Sequence, residues 1–558
     1  MNNNERFFIG NGHFLSIMQG LSIKEIRNEH DSLSFCSLDF INDEPATTFT
    51  KSQRIYDTAR WHTRLLKVLN KGTNEELLIY PAEIDDRIFY DSGLLIRTFR
   101  NSVPLCFKLR IPPYARLVKA PSVVLDTHRT ESYWVKISYE NYEEILQLSC
   151  YGECKFDIPT MTFSAANGES ALIISTGTIP ASVQRNTLKA FGHYIKENLP
   201  EPILPYTYDK NEKVRNVIYS LYAHSVNNFG LMSSTNDTFI RLLPLYTAIR
   251  LFNQTGLQRF ALSISVNSLK AFLTNKDCVA VAKNHSLQYA TDIFSLMPSI
   301  ILLLAFEAPN ERFLSDMKSF MVARCKLQTK SVTAGMLPFE GREYYYNNFC
   351  QITDGSAIST LFYIKSTELL CKYANDKEIK EVSEFAKGSF RDNFVNNGKV
   401  YLNNPIRTQR SRLPKYIFGI CDFCKEDTFT WLTKNSAGAY CCDNCADEFK
   451  SKSAPNYGVK KESYLPVLWS EYLDMDIFNS EEISYAQDLA VKELYTIPLC
   501  DAALLLYSMS KNHHKACRQV YDHILSKQNS LNLWLDDKGE FDVLTNSLCA
   551  YAIINTKL

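Results

Sequence analysis

What this chain lacks narrows its possible roles first. It has no excess of either charge: Lys plus Arg and Asp plus Glu number 61 each over 558 residues. A protein held to nucleic acid or to an anionic lipid surface by its overall field needs a basic surplus, so that class of partner is not expected. The opening residues, Met1-Asn2-Asn3-Asn4-Glu5-Arg6, lack the basic-then-apolar layout of a secretory leader. The longest apolar stretch, Ile293 to Phe306, is interrupted by Ser295, Pro298 and Ser299. It falls short of the ~20 residues that cross a bilayer, so it reads as a buried core helix and no membrane is implied. No repeat of fixed length is visible. His513 and His514 look like an exposed helix end, with nothing nearby to make a nucleophile–base pair.

What is present is an ordinary globular composition, 45% apolar and 22% charged, in a chain long enough for two or three domains. Residues 5 to about 185 carry short alternating runs such as Leu94-Leu95-Ile96-Arg97-Thr98-Phe99 and Trp134-Val135-Lys136-Ile137-Ser138-Tyr139. Period-two patterning over many short segments predicts an antiparallel β-sandwich. Beyond Pro180 the period changes. Val214, Val217, Ile218 and Leu221 share one helix face, and Leu242, Leu245, Ile249 and Phe252 share another. Roughly ten to twelve helices fit in this half, the number that a ring of helical hairpins requires. The expected organisation is multidomain, β then α: a sandwich over 1–185, a helical domain over 186–402 and 462–558, and an insertion over 403–461.

Sixteen cysteines are present, and five of them crowd into residues 421 to 445. The rest are scattered without a framework spacing, which suggests reduced thiols and a cytoplasmic setting. Cys421-x2-Cys424, then seventeen residues, then Cys442-x2-Cys445 is a metal-site spacing. Four thiolates arranged tetrahedrally suit a structural Zn²⁺ with no open coordination position, and no His in the cluster suggests a catalytic metal. Cys441 duplicates the third ligand. Four buried cysteines without metal are the blander alternative. From Arg407 to Lys452 there are eight basic and six acidic residues, a weak footprint for nucleic acid. A stapled insertion that docks a protein partner or serves as a lid is the favoured use.

Two stretches place a single carboxylate at the start of an amphipathic helix. One is Asp237-Thr238-Phe239-Ile240-Arg241-Leu242-Leu243-Pro244-Leu245. The other begins at Gly335-Met336-Leu337-Pro338, passes Glu340 and Tyr344-Tyr345-Tyr346, and reaches Asp354-Gly355-Ser356-Ala357. An Asp in such a place is most often an N-cap, and aromatic runs more often pack than bind. Glycosidases, however, need two carboxylates across a sugar ring, one to protonate the leaving oxygen and one to act at the anomeric centre. The first stretch resembles the aspartate-led helix start of the glucosidase module of glycogen debranching enzymes and of glucoamylase-like proteins. Asn236 stands where those families carry Arg. The second resembles their glycine-proline turn and later aspartate-led helix. Ile9-Gly10-Asn11-Gly12 is similar to the first strand of the sandwich ahead of many six-hairpin barrels.

The resemblance implies an (α/α)6 toroid with a sugar pocket, cleaving an α-glucoside-like or related oligosaccharide with inversion. It puts Asp237 and Asp354 in the two aspartate positions, one of them the general acid. Arg241, Glu340, Tyr344 and Tyr345 become candidates for sugar contact. The base is expected from the C-terminal part. Glu471, flanked by Trp469 and Tyr472, is the best local candidate, with Glu462, Asp474 and Asp501 competing. The family's usual C-terminal motif is absent. Two alternatives therefore stand beside the hydrolase: a phosphorylase of the same architecture, and a non-catalytic carbohydrate-binding or scaffold protein.

Overall fold

The computed structural model describes the strands between Arg6 and Thr176, residues 210–223, 239–258, 296–307, 310–338, 355–404, 462–529, 532–535 and 541–557, and shorter stretches between them. The chain separates into two compact units. One comprises residues 1–238, 285–287 and 529–542; the other comprises 239–284, 288–528 and 543–558.

The first unit is built on one hydrogen-bonded network of fourteen strands. Its centre is a run of long antiparallel pairings in which Glu143–Asp157 is bonded to His128–Ser138 on one side and to Thr162–Thr176 on the other. The alternation in sequence is alternation of faces. Phe107 and Leu109, Tyr133 and Val135, Leu148 and Cys150, and Phe163 and Ala165 are all buried, each pair two residues apart on its strand. The antiparallel strands predicted from period two are therefore present. The helix Glu212–Ala223 follows, burying Val214, Val217, Ile218 and Leu221, the stripe expected from the sequence.

The second unit is helical. Its helices are α1 (Leu242–Gln254), α2 (Met297–Glu307), α3 (Glu311–Thr329), α4 (Ala357–Tyr373), α5 (Lys377–Phe394), α6 (Leu465–Tyr472), α7 (Ser480–Lys492), α8 (Leu499–Asn512), α9 (Cys517–Ser526) and α10 (Val543–Asn555). They fall into two kinds. In α2 every residue from Met297 to Ala305 is buried, and in α8 every residue from Cys500 to Met509. A helix that is apolar all round must be enclosed on all sides. By contrast α5 buries only Ile379, Ser383, Ala386, Phe390 and Phe394, and α9 only Cys517, Val520 and Ile524. Those are single stripes with one face in water.

The enclosed helices form a closed ring. Helix α1 packs on α2, α2 on α4, α4 on α6, α6 on α8, α8 on α10, and α10 returns to α1. The amphipathic helices lie outside it: α3 against α2, α5 against α4, α7 against α6 and α8, and α9 against α8. Each of α2, α4, α6 and α8 is followed by an outer helix, so these four and α10 run the same way. Helix α1 runs with α10, since Thr247 meets Ser547 and Arg250, one turn on, meets Tyr551, and the amino ends of all six share one rim. Buried polar side chains register the layers. Gln328 donates to Ser299 Oγ at 2.7 Å, Thr367 Oγ1 meets Ser383 Oγ at 2.6 Å, and Gln487 donates to Ser508 Oγ at 2.9 Å. Each joins an outer helix to its inner neighbour, where an unpaired polar group would be costly. Thr247 Oγ1 and Ser547 Oγ, 2.7 Å apart, close the ring between α1 and α10.

Candidate active site

The rim formed by the amino ends is where the two aspartate-led stretches enter. Helix α1 begins at Leu242 with Arg241 as its N-cap residue, in extended conformation and without a side-chain cap. The preceding backbone, Phe239 to Arg241, pairs in parallel with Gln288 to Ala290. Arg241 is only 9% exposed, so it does not sit on a solvated helix face. Asp237 itself lies outside the described residues.

Helix α4 begins at Ala357, and its cap is Ser356, whose Oγ accepts the Ser359 N–H at 3.2 Å. The turn at Gly335–Pro338 is bonded to this entrance. Ser356 N–H donates to Leu337 O at 2.9 Å, Leu337 N–H to Thr360 Oγ1 at 3.0 Å, and Thr360 Oγ1 to Ser356 O at 2.7 Å. The two motifs singled out in sequence thus form one hydrogen-bonded knot. Its glycines are required: Gly335 has φ +77°, and a Cβ there would stand 1.9 Å from Ser389 Oγ. At Gly355 a Cβ would stand 2.7 Å from Met336 Sδ. Residues 339–354, which carry Glu340, Tyr344, Tyr345 and Asp354, begin and end at this knot and lie outside the described residues. The cap positions of α1 and α4 are thus held by Arg241 and Ser356, not by Asp237 or Asp354.

The same rim holds three buried polar atoms without a hydrogen-bond partner among the described residues: Ser359 Oγ in the first turn of α4, the hydroxyl of Tyr464, the N-cap residue of α6, and one carboxyl oxygen of Asp501. Asp501, in the first turn of α8, is wholly buried. Its Oδ1 accepts from the Cys500 thiol at 3.6 Å, and its Oδ2 has no partner among the described residues. Burial pushes its pKa up to about 7, against a small opposing pull from the thiol. In sequence it competed weakly because Pro498-Leu499-Cys500-Asp501 reads as an ordinary helix start. The available signal was an acid at the head of a run as apolar as Ala502 to Tyr507.

Glu471 lies at the other end of the ring from these helix starts. It lies in the last turn of α6, where inner helices end. Lys511, near the end of α8, donates to the Glu471 carbonyl at 2.6 Å and stands 3.8 Å from its Oε2. Asp501 and Lys511 are ten residues apart on one helix, about 15 Å along the axis. Trp469 and Tyr472, which flank Glu471, are fully enclosed and pack edge-on against each other, so neither ring is open to a ligand.

Around Glu471 the far rim is sealed by charge. Arg250 of α1 is bonded to Asp474 and to the Tyr472 carbonyl, and lies 4.6 Å from the Tyr472 ring and 5.4 Å from the Tyr551 ring. Asp474 Oδ1 also accepts from Tyr507 at 3.2 Å and from Lys511 at 2.9 Å, while its carbonyl accepts from Lys365 at 3.2 Å. Burial alone would raise the Asp474 pKa, but Arg250 and Lys511 outweigh it and hold the carboxyl below its usual range. Burial raises that of Glu471, partly countered by Lys511. Glu462, the other competitor, takes Tyr485 and Lys399 and is held ionised by them, the tyrosine most. Three acids that sequence reasoning passed over, Asp536, Asp537 and Glu540, fall between Leu535 and Phe541, whose backbones pair. They precede α10 in the chain as Asp237 precedes α1 and Asp354 precedes α4; their own positions lie outside the described residues.

Cys421, Cys424, Cys442 and Cys445 also lie outside the described residues. The strands around them are described. Tyr416–Ile420 is antiparallel to Asp427–Lys434, whose other edge takes Tyr440–Cys441. In sequence, one cysteine pair therefore lies between the first two strands, and the other follows the third. Among the described residues no group of His, Cys, Asp or Glu could hold a metal, and no helix is long and apolar enough to cross a membrane.

No family model matches this sequence, and no curated protein does. Solved structures do. A bacterial glucoamylase in complex with acarbose matches over 99% of this chain and 93% of its own, with a TM-score of 0.55 and 10% identity. A structure named as a kojibiose phosphorylase from the human microbiome matches over 99% of this chain and 82% of its own, with a TM-score of 0.51 and 10% identity. At such identities the likeness is one of fold. The closed ring of six inner helices is the (α/α)6 toroid of these carbohydrate-active proteins, as the resemblance in the motifs implied.

Proposed function

We propose that this chain cleaves glycosidic bonds by inversion, with Asp237 or Asp354 as general acid. The observation that carries the reading is the arrangement of the helix entrances. The aspartates precede the first and third inner helices, and neither occupies the N-cap position, which is Arg241 at α1 and Ser356 at α4. A general acid acting near neutral pH needs its charged form disfavoured, which a partly dry pocket does. Arg241, Glu340, Tyr344 and Tyr345 are assigned to the sugar. The base is proposed from the C-terminal part, with Asp536, Asp537 and Glu540, which precede the sixth inner helix, set beside Glu471. An α-glucoside-like oligosaccharide is the favoured substrate. The fourteen-stranded unit is read as two packed layers, a sandwich, and Cys421, Cys424, Cys442 and Cys445 as holders of a structural Zn²⁺ in a ribbon that docks a protein partner.

The test is a panel of aryl α- and β-glycosides with the wild type, Asp237→Asn and Asp354→Asn, the anomer of the product being read by NMR. Turnover abolished in one variant, with an inverted product, supports the reading. Wild-type protein inert on every glycoside sinks it and leaves a sugar-binding scaffold. One of the two structural neighbours is named as a phosphorylase, so each assay is run with and without inorganic phosphate. Strict dependence on phosphate would replace hydrolysis by phosphorolysis.

A further inference from the structure

One aromatic side chain stands apart on the amino-end rim. Tyr495 is 74% exposed, more than any other large apolar residue described. It sits in the turn between α7 and α8, four residues before α8 begins. That turn is rigid: Thr496 N–H and Ile497 N–H both donate to the Glu493 carbonyl, at 2.8 and 3.1 Å, and Thr496 Oγ1 donates to it at 2.9 Å. Leu494, next to Tyr495, is fully buried and pins the loop. The Tyr495 ring is steadied in turn by His523 of α9, whose ring meets it edge-on, with centroids 5.1 Å apart and planes at 85°. An exposed ring on a fixed backbone gives the fold no burial energy. It offers instead a preorganised flat face to a ligand.

We propose that Tyr495 and His523 form a carbohydrate-binding platform on this rim, separate from the cleavage residues, that holds a remote part of a neutral glycan chain. The inference rests on the toroid acting on carbohydrate. A pyranose presents an apolar face of C–H groups to an aromatic ring and hydroxyls around its edge. Tyr495 supplies the ring and its hydroxyl. Neither that hydroxyl nor a His523 ring nitrogen has a hydrogen-bond partner among the described residues. Burial, followed by Lys527, lowers the His523 pKa. At neutral pH the imidazole is then uncharged, one nitrogen donating and the other accepting, which suits sugar hydroxyls.

Native gels cast separately with soluble starch, laminarin or galactomannan test this with the full chain. The wild type should be retarded in at least one of them. Tyr495→Ala should bind that glycan about tenfold more weakly, while Tyr495→Phe, which keeps the ring, should stay within about twofold of wild type. The variant should also raise KM on the polymer and leave turnover of a short aryl glycoside unchanged. Equal retardation of wild type and Tyr495→Ala, or no retardation of wild type in any gel, overturns the platform. Retardation that depends on Tyr495 without turnover of any glycoside supports the platform and sinks the cleavage reading alone.

Discussion

Below pH 7, Asp501 keeps a proton that an ordinary aspartate has lost. Its pKa moves from 3.8 to about 7 on burial, so the folded state resists ionising while the unfolded chain does not. As pH rises from about 4 to 7 the unfolded state sheds this proton first, and stability falls across that window. Above 7 the loss is complete, and the gap between the two values bounds it at about 4 kcal/mol. Asp501→Asn removes the linkage and preserves the shape. Urea unfolding should therefore show the variant more stable than wild type at pH 8, with little difference at pH 4. A variant less stable at pH 8 would mean that the charge is compensated by something beyond the Cys500 thiol. Arg250 is the opposite case, a buried cation with its partners present. Arg250→Met would leave Asp474 with Lys511 and Tyr507 and uncover the Tyr472 carbonyl. Breaking such a pair from one side costs about 3–5 kcal/mol when both partners are buried; Asp474 is half exposed, so about 2–3 kcal/mol is expected in the same urea experiment.

At the level of elements, the knot of Gly335–Pro338 and the start of α4 decides how the 339–354 segment is presented. Gly335→Ala places a methyl group against Ser389 Oγ in a backbone conformation that side chains avoid. Positive φ and overlap together should cost about 1–3 kcal/mol. Thermal melting should show this as a lowered Tm, with glycosidase activity falling more than stability at 25 °C. Gly398→Ala is the control, since its φ is also positive and its Cβ would meet nothing. This knot was legible in sequence because a glycine-proline turn and a Gly-Ser helix start leave composition marks. Of the inner helices only α2 was read as enclosed; α1 and α4 were read as amphipathic, yet Leu242 to Phe252 and Ala357 to Ile364 are all buried, because enclosure depends on neighbours far along the chain. The place of Glu471 was not legible, because a sequence gives flanking residues but not the end of the ring a helix terminus occupies. Asp501 was undervalued because burial depends on neighbours far along the chain, and a helix-start acid is ordinarily solvated. Arg250 went unnoticed because its partners, Tyr472, Asp474 and Tyr551, lie more than two hundred residues away.

For the whole molecule, the ring closes through helix contacts alone, and the cysteine-bearing segment supplies none of its members. That segment leaves and returns at one place. Tyr401 and Glu462 pair through their backbones, Ser463 N–H donates to Val400 O at 3.0 Å, and Lys399 Nζ stands 3.1 Å from Glu462 Oε2. An excursion closed at its base can lose its internal order at little cost to the body that carries it, because closure entropy grows only slowly with loop length. If Cys421, Cys424, Cys442 and Cys445 bind zinc, metal binding and local folding are coupled there. Purified protein should then carry one zinc per chain by atomic emission spectroscopy, and Cys424→Ser should lose it. Stripping the metal with a chelator should leave the helical circular dichroism and the main thermal transition of the ring nearly unchanged. Limited proteolysis should meanwhile begin to cut between residues 403 and 461. Global unfolding on chelation would mean that the ring depends on the ribbon, and protein purified without metal would remove the zinc assignment.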